Sequence, residues 1–300
     1  MEFTVTGGAG FIGSHITDAL SKKGNVTVID NLSSGQKKNI NKAKLVKKDL
    51  RKKNSIKKIT GDTVFHFAAS PDVKKSSKKP MQTFENNVKA TMNVLEGCRK
   101  NDVKKIIFAS TSTVYGKAEK IPTPEEYKKH PISNYGASKL ASESFIISYS
   151  ESYGINASIV RYANIFGPRS DHGVMFDFFH KLRKNPNQLK ILGNGKQNKS
   201  YLYIKDAVSA TLLASKQTGI NIYNIGSDEQ LTVDKIAKVI ADELDLDPKF
   251  KHTGGESGWK GDVPAMLLDI TKIKKLGWEK KVPIKKGIRK YIRWLKQQNN

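Results

Sequence analysis

Cysteine is nearly missing from this 300-residue sequence, Cys98 being the single one. One thiol cannot build a disulfide framework or a Cys-rich metal site, so a reducing, cytoplasmic compartment is expected and a metal is not. Long apolar runs are missing too, since no stretch approaches the ~18 consecutive apolar residues that a bilayer demands. The first residues run straight into a β-like segment at 2–6 with no basic leader, so secretion is not expected. Acidic side chains are scarce: 28 Asp and Glu face 53 Lys and Arg, a formal charge of +25. Arginine is scarce in its turn, with seven of the 53. The lysines are strewn along the chain, as in Lys37–Lys38, Lys104–Lys105 and Lys285–Lys286. Nucleic-acid readers favour Arg forks and clustered basic stripes interleaved with aromatics. Neither is present, so the charge reads as a solvated lysine surface and no nucleic-acid partner is expected. Apolar residues still make up 37% of the chain and aromatics 8%, enough for a sizeable core and against disorder.

Residues 1 to about 165 alternate short apolar runs with longer amphipathic ones, the pattern of a doubly wound α/β domain with a parallel sheet. Strands are predicted at Phe3–Thr6, Val26–Asp30, Lys44–Val46, Thr63–Phe67, Lys105–Ser110 and Ala157–Tyr162. Helices are predicted at Ile12–Lys23, Phe84–Lys100 and Tyr135–Ser152; in the second, Val88, Met92, Leu95 and Cys98 share a face. After Gly167–Pro168 the rhythm loosens into a smaller mixed α/β region over 166–300, some of it expected to return to the first domain. Its helices are predicted at Val174–Arg183, Thr232–Glu243 and Ile284–Leu295.

The first strand ends in Thr6-Gly7-Gly8-Ala9-Gly10-Phe11-Ile12-Gly13 and enters a helix. Glycines at this spacing let a βα turn tighten and its backbone approach a pyrophosphate, whose charge meets the helix N-terminus. The second strand ends at Asp30, where a carboxylate accepts from an adenosine ribose and repels a 2′-phosphate. No Arg follows in Asn31-Leu32-Ser33-Ser34-Gly35, which favours NAD over NADP. Asp49–Leu50, after the third strand, falls where an adenine contact is expected.

Tyr135 and Lys139 stand four apart, one helical turn on one face. A phenol acting as a base near pH 7 needs its pKa of ~10 lowered by roughly 3 units, about 4 kcal/mol, which a neighbouring ammonium and a cationic nicotinamide ring would supply. The spacing alone proves little, because ten Tyr and 46 Lys give about 1.5 such pairs by chance, and Tyr201–Lys205 is a second one. Context separates them. Tyr135 follows the hydroxyl-rich strand end Ser110-Thr111-Ser112-Thr113 by 24 residues, at the carboxyl edge of a parallel sheet where ligands bind.

These residues resemble the extended short-chain dehydrogenase/reductases, and most closely the UDP-glucose (UDP-galactose) 4-epimerases, over essentially the whole length. The carriers are TGGAGFIG at 6–13, DNLSSG at 30–35, DL at 49–50, HFAAS at 66–70, NNVKATMNVLE at 86–96 and STSTVYG at 110–116. They continue with YGASK at 135–139, RYANIFGPR at 161–169, ILGNGKQNKSYLYIKD at 191–206, YNIGS at 223–227 and GDVPAMLLD at 261–269. The resemblance implies NAD held by Gly7, Gly10, Phe11, Ile12, Gly13, Asp30, Asn31, Ser34, Gly35, Asp49, Leu50, Ala68, Asn87, Tyr135 and Lys139. Tyr135 would remove the sugar 4′-hydroxyl proton, Thr111 would bond the same oxygen, and Lys139 would grip the nicotinamide ribose and depress the phenol's pKa. Hydride would leave C4′ and return to the other face of a 4-keto sugar. Ser112 and Asn164 would touch the substrate, Asn164 at its diphosphate.

The same resemblance implies a homodimer packed through helices around 84–100 and 135–152, whose apolar faces could equally be buried within one subunit. Related 4,6-dehydratases place Asp-Glu after the catalytic Thr, and related decarboxylases a Glu at the second position; here Ser112-Thr113 stands instead. Lys199 and Trp259 occupy positions where the family commonly has Arg on the diphosphate, and Lys reproduces a bidentate fork poorly. Met266 falls where the pocket is gated by size, so N-acetyl sugars are expected to be admitted at least in part. Rival readings are another nucleotide-sugar reductase or dehydratase, or a non-catalytic NAD-binding regulator; the latter usually loses the Tyr–Lys pair that is kept here.

Overall fold

In chain order the computed structural model runs β1 (Glu2–Thr6), α1 (Phe11–Leu20), β2 (Asn25–Asp30), β3 (Lys44–Lys47), β4 (Thr63–His66), α2 (Val73–Lys78), α3 (Pro80–Phe84), α4 (Ala90–Lys100) and β5 (Lys105–Thr111). It continues with α5 (Asn134–Tyr153), β6 (Asn156–Tyr162), β7 (Asn164–Phe166), α6 (Val174–Lys184), β8 (Gln188–Ile191), β9 (Asn198–Tyr203), α7 (Ile204–Ala214) and β10 (Ile220–Ile225). The last elements are β11 (Gln230–Thr232), α8 (Val233–Glu243), β12 (Lys249–His252), β13 (Ala265–Met266), α9 (Thr271–Lys274) and α10 (Ile284–Gln298). The structure describes residues 1–256, 258 and 263–298.

Seven strands form one sheet in the order β3-β2-β1-β4-β5-β6-β10. The ladders from β3 through to β6 are all parallel, with Thr6 opposite Ile29 on one side and His66 on the other. The order reverses direction at β1, and in such sheets the crevice at the carboxyl ends of the strands on either side of that point takes the ligand. Alternation along the strands splits the core into two faces. Phe3, Val5, Val28, Phe65 and Ile107 pack against Ile16 and Leu20 of α1 and Val208 and Leu212 of α7. Val64, Ile106, Phe108 and Ile159 pack against Val94, Leu95 and Cys98 of α4 and Ile146 of α5.

The chain divides into two compact units. The first comprises Met1–Lys117, Glu125–Tyr162 and Val208–Asn224, and the second Ala118–Pro124, Ala163–Ala207 and Ile225–Asn300. In the second, β9 is the hub of a small sheet, parallel to β7 and β13 and antiparallel to β11, and β8 pairs with β12.

The six expected strands of the first domain and its doubly wound class are present; the seventh strand, β10, was not expected. The helix expected over Phe84–Lys100 starts earlier and is not uniform. Pro80 opens it at the position where a missing N–H is harmless. Glu85–Lys89 then forms a π-helical turn before α4. Such turns inside α-helices are frequent at functional sites, and this one carries Asn87.

Candidate active site

The glycine turn is built by backbone pressed on backbone. Gly7 adopts φ +69°, and a Cβ there would lie 2.5 Å from the Ala68 amide nitrogen and 2.7 Å from its Cα. Only glycine fits where the turn after β1 leans on the turn after β4. Gly10 donates to the Gly7 carbonyl at 3.1 Å. It then serves as the N-cap of α1 without a side-chain cap, and the first turn, including Phe11, Ile12 and Gly13, holds no acidic residue. A Cβ at Gly10 would meet only the Gly7 carbonyl, at 3.3 Å, so the outer side of the turn is open. Uncapped amides and the positive end of the helix dipole make this a place for an anion.

Asp30 is buried at the end of β2. Its Oδ2 accepts from the Ala9 amide at 3.0 Å and its Oδ1 from Leu32 at 2.8 Å. Each oxygen keeps a lone pair for a ribose hydroxyl. Asn31 closes its loop by accepting from the Ser33 amide, Ser34 is exposed, and Gly35 lies against Ala9 and Asp30. Asp49 differs from the simple expectation. Arg51 grips its carboxylate with bonds of 2.6–3.1 Å and holds it below its ordinary pKa, so an adenine there meets a carboxylate already paired. Leu50 is buried beside it, and its carbonyl accepts from Asn93 at 2.7 Å.

Tyr135 and Lys139 both lie on α5, whose N-cap Ser133 accepts from the Gly136 amide at 3.1 Å. The rival pair is split by the fold: Tyr201 is in β9 and Lys205 in α7, so they do not share a helix face. Burial pushes the Tyr135 phenol up to about 12, and the Thr111 hydroxyl pulls against it. Thr111 ends β5, and its Oγ1 accepts from the Thr113 amide at 3.2 Å, which fixes the hydroxyl. Lys139 is 2% exposed, with its Nζ 4.2 Å from the centre of the Phe108 ring. Burial draws this ammonium down to about 7, and the Glu143 carboxylate opposes that fall.

Asn87 hydrogen-bonds within the chain. Its Oδ1 accepts from the Ser70 amide at 2.7 Å and its Nδ2 donates to Ser138 Oγ at 2.8 Å, joining the π-helical turn to the helix of Tyr135 and Lys139. Behind it runs a chain of bonds that sequence reasoning missed. Thr91 Oγ1 donates to the Asn87 carbonyl, so it accepts from His66 Nε2 at 2.9 Å; His66 Nδ1 then accepts from Thr6 Oγ1 at 2.6 Å. Burial, with the charge of Lys139 adding to it, pushes His66 down to about 3, so this ring is neutral. His66 and Arg161 stand inside segments singled out by the sequence, but a buried polar network has no sequence spacing that announces it.

Of the residues expected on the substrate side, Thr111, Ser112 and Tyr135 belong to the first unit and Asn164, Lys199 and Met266 to the second. Ser112 follows Thr111 in a short 3₁₀ turn and is partly buried. Asn164 opens β7 and donates to the Ser200 carbonyl at 3.1 Å. Lys199 and Met266 sit directly opposite each other across β9 and β13, which a reading of 199 and 266 as separate motifs did not foresee. Gln230 Nε2 donates to the Met266 carbonyl at 3.3 Å and ties β11 to the same place. Trp259 lies outside the described residues.

The groups present in the first unit fit a dinucleotide: an uncapped helix N-terminus for a diphosphate, a buried carboxylate with spare lone pairs for a ribose, and no Arg in the segment 31–35 that follows it. Among the described residues no group of three or more His, Cys, Asp or Glu is placed to hold a metal ion, and no helix is long and apolar enough to cross a membrane. Fold and site together define an extended short-chain dehydrogenase/reductase.

Comparison with known proteins carries this further. The chain belongs to the NAD dependent epimerase/dehydratase family, whose model matches residues 3–226, and NAD is the cofactor that this membership assigns. It is similar to a solved UDP-galactose 4-epimerase, 44% identical over 99% of both chains with a TM-score of 0.92. A UDP-glucose 4-epimerase from Thermotoga maritima, solved with UDP-glucose, is 34% identical over the whole of both chains, with a TM-score of 0.94. The UDP-N-acetyl-alpha-D-glucosaminuronate decarboxylase of Bacillus cytotoxicus is 31% identical over 99% of this chain and 98% of its own. The resemblance to UDP-glucose 4-epimerases therefore stands, within a family whose members also run other reactions on nucleotide sugars.

Proposed function

We propose that the chain inverts C4 of a UDP-hexose, interconverting UDP-glucose and UDP-galactose. The observation that carries this reading is the Thr111 hydroxyl acting on the Tyr135 phenol, with Ser112-Thr113 and no carboxylate following it in sequence. Elimination of water needs an added acid and base, and neither of these side chains is one.

In this reading Tyr135, as phenolate, takes the proton from the sugar 4′-hydroxyl, becoming the phenol, and later returns it, while Thr111 holds the same oxygen. When bound, NAD supplies the hydride acceptor and a ring charge that favours the phenolate. Lys139 holds the nicotinamide ribose and adds its own positive charge. Gly7, Gly10, Phe11, Ile12 and Gly13 would hold the diphosphate and Asp30 the ribose, with Asn31, Ser34, Gly35, Asp49, Leu50, Ala68 and Asn87 around them. Ser112, Asn164, Lys199, Trp259 and Met266 are proposed as substrate contacts. Met266 is slim and adaptable enough to admit a 2-N-acetyl group.

A homodimer is part of the same reading. Met81 and Phe84 on α3 and Phe145 and Tyr153 on α5 leave large apolar side chains exposed, 41–70% each, on two of the helices expected to pair.

The test is incubation with UDP-galactose, and separately with UDP-N-acetylgalactosamine, without added NAD, followed by proton NMR of the sugar. UDP-glucose as product supports the reading. An inert mixture rejects it, and carbon dioxide released in a parallel incubation with UDP-glucuronate then points to another family reaction. Absence of product from the N-acetyl sugar rejects the part assigned to Met266.

A further inference from the structure

Two helical turns beyond Tyr135 and one beyond Lys139, Glu143 lies on the same face of α5. It is 1% exposed, yet its carboxylate is crowded with donors from two neighbouring strands. Oε1 accepts from Ser110 Oγ of β5 and from Arg161 Nε of β6 at 3.0 Å, and Oε2 accepts from Arg161 Nη2 at 2.6 Å. Ser110 and Arg161 are direct partners in the β5–β6 ladder, one position before Thr111. Arg161, also 1% exposed, gives its remaining nitrogen Nη1 to Tyr115 Oη at 2.9 Å and to the Glu125 carbonyl at 2.7 Å. Burial works against the Arg161 charge, but Glu143 and Tyr115 outweigh it and hold the guanidinium above its ordinary value. A buried ion pair is poor value as stability alone, because well-packed apolar side chains often serve as well. Its place beside Lys139 and Thr111 gives it another use.

We infer that Glu143 and Arg161 are positioning residues: together they staple α5 to β5 so that Thr111 meets Tyr135, and their balance of charge sets how readily Lys139 keeps its proton. The inference rests on the reading of Tyr135 and Lys139 given above. The Ser110–Glu143 bond fixes the residue next to Thr111 onto the helix that carries Tyr135. Glu143 is also the group that opposes burial at Lys139. Arg161 engages both oxygens of that carboxylate and so neutralises part of what Lys139 feels. The other titratable groups facing this cluster are known. His66 on β4 is neutral, being held near 3. Tyr115 is pushed up to about 12 by burial. In the segment before α5, Lys129 is lowered by burial and by Arg161, while Glu143 and Glu126 pull it back; Glu125 acts on Tyr115.

The two charges therefore act on Lys139 with opposite sign, and that separates this role from scaffolding. Glu143→Gln keeps the shape and removes the charge, while Arg161→Gln removes the neutralising partner. Two profiles are measured for each: kcat/KM against pH with UDP-galactose, and thermal unfolding midpoint against pH without substrate. Glu143→Gln is expected to move the alkaline limb, and the onset of the rise in midpoint, down by about one pH unit, and Arg161→Gln to move both up by a similar amount. Shifts in the same direction, or parallel losses of rate with no shift, overturn the inference. Ser110→Ala leaves both charges and serves if a charge variant does not fold. It should lower kcat several-fold with KM and the limb unmoved, and a wild-type kcat there removes the positioning half. Failure of the wild type to turn over any UDP-hexose strikes the proposed function instead, and the unfolding profiles still decide the charge balance.

Discussion

Thr111 at the end of β5 acts on Tyr135 in the first turn of α5: its hydroxyl draws down a phenol that burial drives up, although 24 positions separate the two in sequence. A sugar hydroxyl placed there would meet both a proton acceptor and a group to orient it.

Tyr135→Phe should lower turnover of UDP-galactose by roughly 10²–10⁴-fold, the range for a positioned acid–base group, while NAD remains bound. Thr111→Val should lower kcat by less, since the acceptor itself survives. Steady-state kinetics beside cofactor content after gel filtration check both, and a fully active Tyr135→Phe protein removes the phenol from the chemistry.

Lys139 gives a pH dependence whose sign is fixed. Its folded value of about 7 lies below the ordinary 10.5, so between these limits the unfolded chain binds more protons than the folded one. Stability contributed by this group therefore rises with pH through that window, at up to about 1.4 kcal/mol per pH unit. Urea unfolding of wild type against Lys139→Met from pH 7 to 10 should show the difference growing in favour of the wild type. A flat difference means that the lysine is not shifted.

Asp30→Ala should weaken NAD binding by about 10- to 100-fold, the usual loss for hydrogen bonds to a charged group. Discrimination against NADP should narrow at the same time, because the repulsion of a 2′-phosphate goes with the carboxylate. The two amides of Ala9 and Leu32 lose their acceptor too, so the variant is also expected to melt earlier. Titration with both dinucleotides tests the first two points.

Gly7 and Gly154 offer a matched pair, with φ of +69° and +68°. A Cβ at Gly154 meets nothing within 4 Å, so Gly154→Ala should cost about 1–2 kcal/mol of left-handed strain alone. Gly7→Ala adds a collision with the Ala68 backbone and should cost distinctly more, with cofactor lost as well. Equal costs by chemical denaturation would show that the turn does not press on Ala68.

Much of this was legible beforehand because it depends on local pattern. Alternation exposed the strands, the glycine spacing exposed the turn, and a four-residue interval exposed Tyr135 and Lys139. What stayed hidden depends on burial and register. The spacing of Tyr and Lys exposed a neighbouring ammonium, but the enclosure that raises the phenol is not written in it. The three residues Glu143, Ser110 and Arg161 come together only when β5 and β6 pair and α5 lies over them. Lys199 and Met266 likewise meet through a parallel ladder between strands more than sixty residues apart.

The most direct measurement follows a label on the sugar. UDP-galactose carrying deuterium at C4 should yield UDP-glucose that keeps the deuterium at C4, because the hydride that leaves is the one that returns. Product in which C4 has taken up hydrogen from water would contradict the account.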